Sequence, residues 1–318
     1  MIIDSHGHLV APPSFYGSWT YLEGAGRHHG RRHLEIDEAA HRAAADEHVR
    51  LLDAVGTDVQ LVSPRPFVLK HSARPKEIVH WWVSHNNDAV AFEVKQHPDR
   101  FRGLAGLPQA DGEPIESVFE ELERCLDMGF VGVLLNPDPS EGRGTTPTLG
   151  DPYWYPLYEK LSASDVPALV HSAGCFGREN YSEHFISEES LAIGSLIEAD
   201  VLGRFPDLKL IIPHGGGSIP YQLGRWTAHY ARDARPGDRP YLDRLRDLWF
   251  DTCLYTQEAL ELLIKVVGHD RVLFGTERPG SGGHLDDLKP VVEAIEFLTQ
   301  QQRNDLFEGN ARTVYRRI

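Results

Sequence analysis

The sequence predicts an α/β chain folded as a (β/α)8 barrel, and three observations carry that expectation. Short, almost wholly apolar runs alternate with longer helical stretches along most of the 318 residues. Runs apolar at successive positions suit strands covered on both faces, the condition of a parallel sheet flanked by helices. Counting the opening run there are eight strand candidates, and no G-x-G-x-x-G turn follows the first, which favours barrel closure over an open dinucleotide-binding sheet.

The first candidate strand is Ile2-Ile3-Asp4-Ser5-His6-Gly7-His8. Residues two apart on an extended chain point the same way, so His6 and His8 can address one ion, with Gly7 leaving room between them. A polar stretch from Ala11 to His33 follows, inside an insertion loop over 9–36; it reads as a functional loop or lid, and its basic cluster, Arg27 to His33, as a reach toward an anion or a solvated insertion. Asp37 is an N-cap for a helix to Val55 that Gly56 ends. The remaining strands are expected at Val59–Ser63, Phe101–Pro108, Phe130–Asn136, Ala168–Ser172, Leu208–His214, Leu248–Cys253 and Val272–Glu277. Helices are expected between them at Pro75–Gln96, Glu113–Met128, Pro152–Ser162, Glu188–Phe205, Ile219–Arg232 and Gln257–Val267. The tail, 286–318, reads as two or three C-terminal helices packed outside the barrel. No linker or repeat divides the chain, so one domain over 1–318 is expected.

Composition excludes several function classes. With 47 acidic and 32 basic residues the formal charge is −15, opposed to a nucleic-acid or anionic-membrane surface. No apolar run approaches the roughly 20 residues of a membrane span, and the N-terminus enters a strand directly, so the chain reads as cytoplasmic. Three cysteines, Cys125, Cys175 and Cys253, lie far apart without CxxC spacing and read as reduced thiols.

Active sites of barrels of this kind lie at the C-terminal ends of the strands, so strand-end residues form one list. It runs His6 and His8, Ser63 and Arg65, Asn136 and Asp138, His171, His214, Asp251 and Glu277. Several imidazoles and a carboxylate on one rim make a site for a borderline divalent ion, zinc first, with manganese or another divalent ion as alternatives. Any one of these histidines alone reads better as a core or surface residue; their conjunction carries the inference. His214, followed by Gly215, Gly216 and Gly217 and a helix with Pro220 in its first turn, is a candidate general acid or base beside a helix N-terminus that favours a carboxylate. Arg65 offers a planar fork to a carboxylate, with Ser63 and Asn136 as neutral donors, or else a structural ion pair. Asp251 is expected to orient a neighbour, and Tyr255 to donate to substrate or pack.

HxH after the first strand, histidine after the fifth and sixth, and an acid after the eighth together resemble the amidohydrolase superfamily. Ser63-Pro64-Arg65, Asn136-Pro137-Asp138-Pro139-Ser140, Trp154-Tyr155-Pro156, His214-Gly215-Gly216-Gly217, Phe250-Asp251-Thr252-Cys253 and Glu308-Gly309-Asn310-Ala311-Arg312 are similar to its amidohydrolase-2 group, which contains carboxymuconate-semialdehyde decarboxylases and 4-oxalomesaconate hydratases. The order of motifs, and Glu277 where most members carry Asp, resemble the hydratases most.

That resemblance implies a barrel of the metal-dependent hydrolase type with His6, His8, His171 and Glu277 as zinc ligands, His214, Glu277 and Asp251 in catalytic roles, and a substrate held by Ser63, Arg65, Asn136, Cys175, Gly215, Gly216 and Tyr255. It also implies hydration of a carbon–carbon double bond in a small di- or tricarboxylate of aromatic catabolism, by a homo-oligomer without nucleic-acid or membrane partners. Non-oxidative decarboxylation of a carboxymuconate- or hydroxybenzoate-type acid is the alternative; lactone or amide hydrolysis and a non-catalytic binding scaffold rank lower.

Overall fold

Strand β1 (Ile3–His8) is buried along its whole length, and seven further strands follow it in parallel. A computed structural model describes residues 1–24, 36–280, 285 and 287–318 of the chain. Strands β2 (Val59–Ser63), β3 (Phe101–Gly106), β4 (Gly132–Leu135), β5 (Ala168–Val170), β6 (Leu210–Ile212), β7 (Trp249–Asp251) and β8 (Val272–Leu273) pair each with the next in sequence. The register runs through pairs such as Ile3 with Val59, Leu104 with Gly132 and Phe250 with Val272. The last strand returns to the first: Ser5 N–H donates to Phe274 O at 2.8 Å and Glu277 N–H to His6 O at 2.7 Å. The sheet is therefore a nearly closed barrel of eight strands, as the alternation predicts.

Beneath the rim, one buried carboxylate ties this closure together. Asp4 accepts from Gln60 Nε2 (2.8 Å), Thr276 Oγ1 (2.6 Å), Thr276 N (3.0 Å) and His6 N (3.1 Å), so β1, β2 and the chain after β8 share one acceptor. Gly7 leaves room as expected, but Gln60 fills it: a Cβ at position 7 would lie 2.2 Å from its side chain.

The outer layer consists of α1 (Pro13–Gly24), α2 (Glu38–Val55), α3 (Glu77–Gln96), α4 (Phe119–Asp127), α5 (Tyr155–Ala163), α6 (Tyr181–Glu198), α7 (Val201–Arg204), α8 (Leu223–Tyr230), α9 (Tyr241–Leu245) and α10 (Gln257–Val267). After β8 come α11 (Lys289–Glu293), α12 (Gln300–Asn304) and α13 (Asn310–Val314), the expected C-terminal helices. Asp37 caps α2 by accepting from Ala40 N–H, and Gly56 stops it at φ 74°. Among the described residues, no helix is long and apolar enough to cross a membrane.

Three sequence expectations are corrected. The stretch read as a loop from Ala11 contains α1, whose Phe15, Trp19 and Leu22 are buried; Phe15 stacks on Trp82 with ring centroids 5.5 Å apart. The cluster Arg27 to His33 lies outside the described residues. The helix expected from Glu188 begins at Tyr181, because Asn180 and Glu183 form a capping box, and ends at Glu198. The helix expected at Ile219 starts only at Leu223, since Gly215, Gly216 and Gly217 all take positive φ (63°, 84° and 61°) and send the chain through turns first.

Removing the shared acceptor leaves its buried donors unpaired, so Asp4→Ala is expected to destabilise the fold by about 3 kcal/mol or more. The denaturant midpoint of the purified variant measures it.

Candidate metal centre

The inward ends of β1, β5 and β8 converge. His6 and His8, two apart on β1, hold their rings edge to face with centroids 5.1 Å apart. His171, the residue after β5, lies 5.1 Å from His6 and 5.5 Å from His8, centroid to centroid. Ligand-type atoms of His6, His8, His171 and Glu277 all fall within 4.8 Å of one another, and all four residues are buried.

Each imidazole is anchored through Nδ1, which leaves Nε2 for the centre. His6 Nδ1 donates to Asp251 Oδ2 at 2.7 Å, His171 Nδ1 to the Ser172 carbonyl at 2.7 Å, and His8 Nδ1 meets Ser63 Oγ at 3.0 Å. Such anchors fix tautomer and ring orientation and raise the basicity of the opposite nitrogen. Nε2 of His6 and of His171 is buried with no protein partner. Burial first, then the neighbouring imidazoles, pushes the pKa of His8 and His171 well below the ordinary histidine value, so both present lone pairs. Nitrogen donors held neutral and aimed, beside one carboxylate oxygen, fit a borderline divalent ion.

Glu277 connects this cluster to His214. Its Oε1 lies 4.0 Å from His8 Nε2 and 3.8 Å from His214 Nε2, while Oε2 accepts from Tyr255 O–H at 2.8 Å. Burial raises the Glu277 pKa, but His214 and the other imidazoles outweigh it and hold the carboxylate well below its usual range. His214 behaves oppositely: burial disfavours its charge, yet Glu189 and Glu277 together raise its pKa well above the ordinary value. The Glu189 contact is a 2.8 Å bond from His214 Nδ1 to Oε1, and Glu189 itself is pushed up to about 7 by burial, against the pull of His214.

A cavity of about 390 Å³ opens onto the cluster, lined by His8, Arg65, Pro66, Phe67, His171, Tyr181, Phe185, Glu277 and Gly280. The other strand-end candidates lie elsewhere. Asn136 bonds His71 Nδ1 through Nδ2 (2.8 Å) and accepts from Asp138 N–H through Oδ1 (3.0 Å), and it is not part of the lining. Cys175 sits against Gly142 and Gly177, also outside the lining. Gly215 N–H points at Asp251 Oδ1 (3.4 Å) and Gly216 N–H at Pro213 O (3.0 Å); α8 starts only at Leu223, so the helix expected to begin beside His214 does not follow it directly.

Sequence reasoning missed Glu189, Asp4 and Phe185, whose ring stacks on His214 at 5.7 Å and 10°. Phe185, Glu189 and Ile193 repeat every four residues on the buried face of α6; an acid in that apolar series was the available signal.

A nearly closed parallel barrel whose strand ends gather three imidazoles and a carboxylate under a cavity has the donor set of a candidate metal site. The family model described as Amidohydrolase matches residues 3–317, and the chain belongs to that family. It is similar to a 2-keto-4-carboxy-3-hexenedioate hydratase of a Sphingobium strain, 33% identical over 100% of this chain and 97% of the relative. The crystal structure of 4-oxalomesaconate hydratase from Rhodopseudomonas palustris superposes with a TM-score of 0.87 at 32% identity, covering 100% of this chain and 96% of the other. A 2-amino-3-carboxymuconate-6-semialdehyde decarboxylase of Dictyostelium discoideum is 27% identical over 97% of this chain and 90% of its own length. The chain is thus an enzyme of this family, with hydratases and decarboxylases among its relatives.

Because Asp251 orients His6 from behind, Asp251→Asn is expected to weaken divalent-ion affinity roughly 10–100-fold with the fold retained. Competition against a chromophoric chelator reads the change directly.

Proposed function

We propose that this chain is a hydratase that holds one divalent ion, zinc in preference to manganese, on His6, His8, His171 and Glu277 and adds water across the carbon–carbon double bond of an unsaturated oxo-tricarboxylate. The reading rests on likeness over essentially the full length of two hydratases, at 33% and 32% identity, combined with a glutamate after β8 within ligand range of the histidine cluster.

In a substrate such as 2-keto-4-carboxy-3-hexenedioate, the 2-oxo group is conjugated with the 3,4 double bond. Hydroxide therefore adds at C4, electron density moves to the oxo oxygen as an enolate, and protonation at C3 restores the ketone. When bound, the ion supplies Lewis acidity toward oxygen and lowers the pKa of a water toward about 7. Arg65, on the cavity wall, holds a substrate carboxylate with its planar fork. His214 holds or releases a proton at Nε2, the nitrogen facing Glu277, while Glu189 steadies Nδ1. Tyr255 fixes the second oxygen of Glu277 so that Oε1 faces the cluster. Phe67, Tyr181 and Phe185 form an apolar wall that limits water to the reacting face.

Decarboxylation is the second reading, favoured by the nearly full-length likeness to the Dictyostelium decarboxylase. The two are separated by following ultraviolet absorbance and carbon dioxide in one assay. With an oxalomesaconate-type acid the conjugated band is expected to bleach without gas; gas evolution from a carboxymuconate-type acid with no bleaching of the first would reject hydration. A chelator is expected to abolish the reaction and zinc to restore it. His214→Asn is expected to lower kcat by roughly 10²–10⁴-fold while metal content stays unchanged. Glu189→Gln should give a smaller loss of the same kind, because it acts through His214.

A further inference from the structure

Asp138, on the turn after β4, has no part in the centre described above, and its surroundings carry a separate inference. Facing it is His184 on the first turn of α6, 2% exposed, with Nδ1 3.4 Å from Glu179 Oε2 and Nε2 buried without any partner. Glu188 stands one helical turn further along the same face. A ring nitrogen of His184 and carboxylate oxygens of Asp138 and Glu188 lie within 4.8 Å of one another. A cavity of about 120 Å³ adjoins two of these groups, bordered by Asp138, Gly142 and Glu188 but not by His184, with room for a few waters at about 30 Å³ each.

The turn is built to hold its acid still. Asp138 Oδ1 accepts from Ser140 N–H at 3.0 Å and from Ser140 Oγ, and Oδ2 accepts from Gly142 N–H at 2.6 Å. Oδ1 is thus fully used by its two donors, while Oδ2 keeps a further lone pair. Among the described residues, no Lys or Arg makes a salt bridge with Asp138 or Glu188. Burial, Asp138 and Glu179 push the Glu188 carboxyl up to about 7, as expected where acids crowd without a counter-cation.

We propose that Asp138, His184 and Glu188 form a second divalent-cation site, apart from the His6 cluster, for an ion of the zinc or manganese type. Two carboxylates and one imidazole are a donor set such ions accept, with water completing the shell. Its position gives it a task. The ion would clamp the β4 turn to the start of α6, the helix whose Tyr181 and Phe185 wall the larger cavity.

The test counts metal per chain on the full-length protein, saturated in parallel with zinc alone and manganese alone and freed of loose ion. Wild type is expected to retain about two ions per chain, Glu188→Gln and His184→Gln about one each, and His6→Asn to keep the second ion while losing the first. Circular dichroism of each variant checks that the fold persists. Wild type saturating at one ion with either metal, or Glu188→Gln still holding two, would overturn the proposal. Because the His6 variant reports on the first centre alone, failure there is distinguishable from failure here.

Discussion

Everything at the mouth of this barrel depends on how its last strand meets its first. β8 is only two residues long, so few ladder bonds hold the seam, and the chain beyond it is secured by side chains. The Asp4 carboxylate does this by accepting from both Thr276 donors while gripping Gln60 on β2. Glu277, the next residue, then donates its N–H to His6 O at 2.7 Å, so a floor contact sets the separation of a histidine and a carboxylate one layer above. Burying a carboxylate is costly unless its lone pairs are used, and four donors use them here.

The centre follows the same logic one shell outward. Each imidazole is held from behind by its own partner: a carboxylate for His6, a hydroxyl for His8, a backbone carbonyl for His171 and a second carboxylate for His214. Burial and the neighbouring charges set the protonation of three of them. Rings backed by a hydroxyl or a carbonyl stay neutral under burial, whereas His214, with Glu189 behind and Glu277 in front, is driven toward the imidazolium. One rim therefore offers lone pairs on one side and a proton on the other, the division of labour that adding water to an alkene requires.

How much of this could be read from the chain follows from what each residue must satisfy. The strands were legible because burial on both faces forces apolar runs, and the histidine pair because strand period two puts both on one side. Glu277 was legible as a strand-end acid. Glu189 was not, because it sits inside a helix and its partner is 25 positions away; an acid within an apolar helical stripe is ambiguous until that partner is known. The same holds for Asp4, whose donors lie 56 and 272 positions off. Helix α1 was read as loop because its aromatic anchors are separated by Gly, Ser and Thr, and packing against Trp82 decides its state.

Beyond the ends of β6 and β8, the chain reaches its candidate side chains through strained backbone. His214 and Glu277 both adopt positive φ, 50° and 60°, and so does Tyr255 at 59°. A left-handed residue cannot continue a parallel ladder, and a side chain there costs about 1–2 kcal/mol relative to the extended or helical basins. All three belong to one hydrogen-bonded or ion-paired set, with Glu277 between His214 and Tyr255. A glycine at any of these positions would relax the backbone and remove the group that the turn presents.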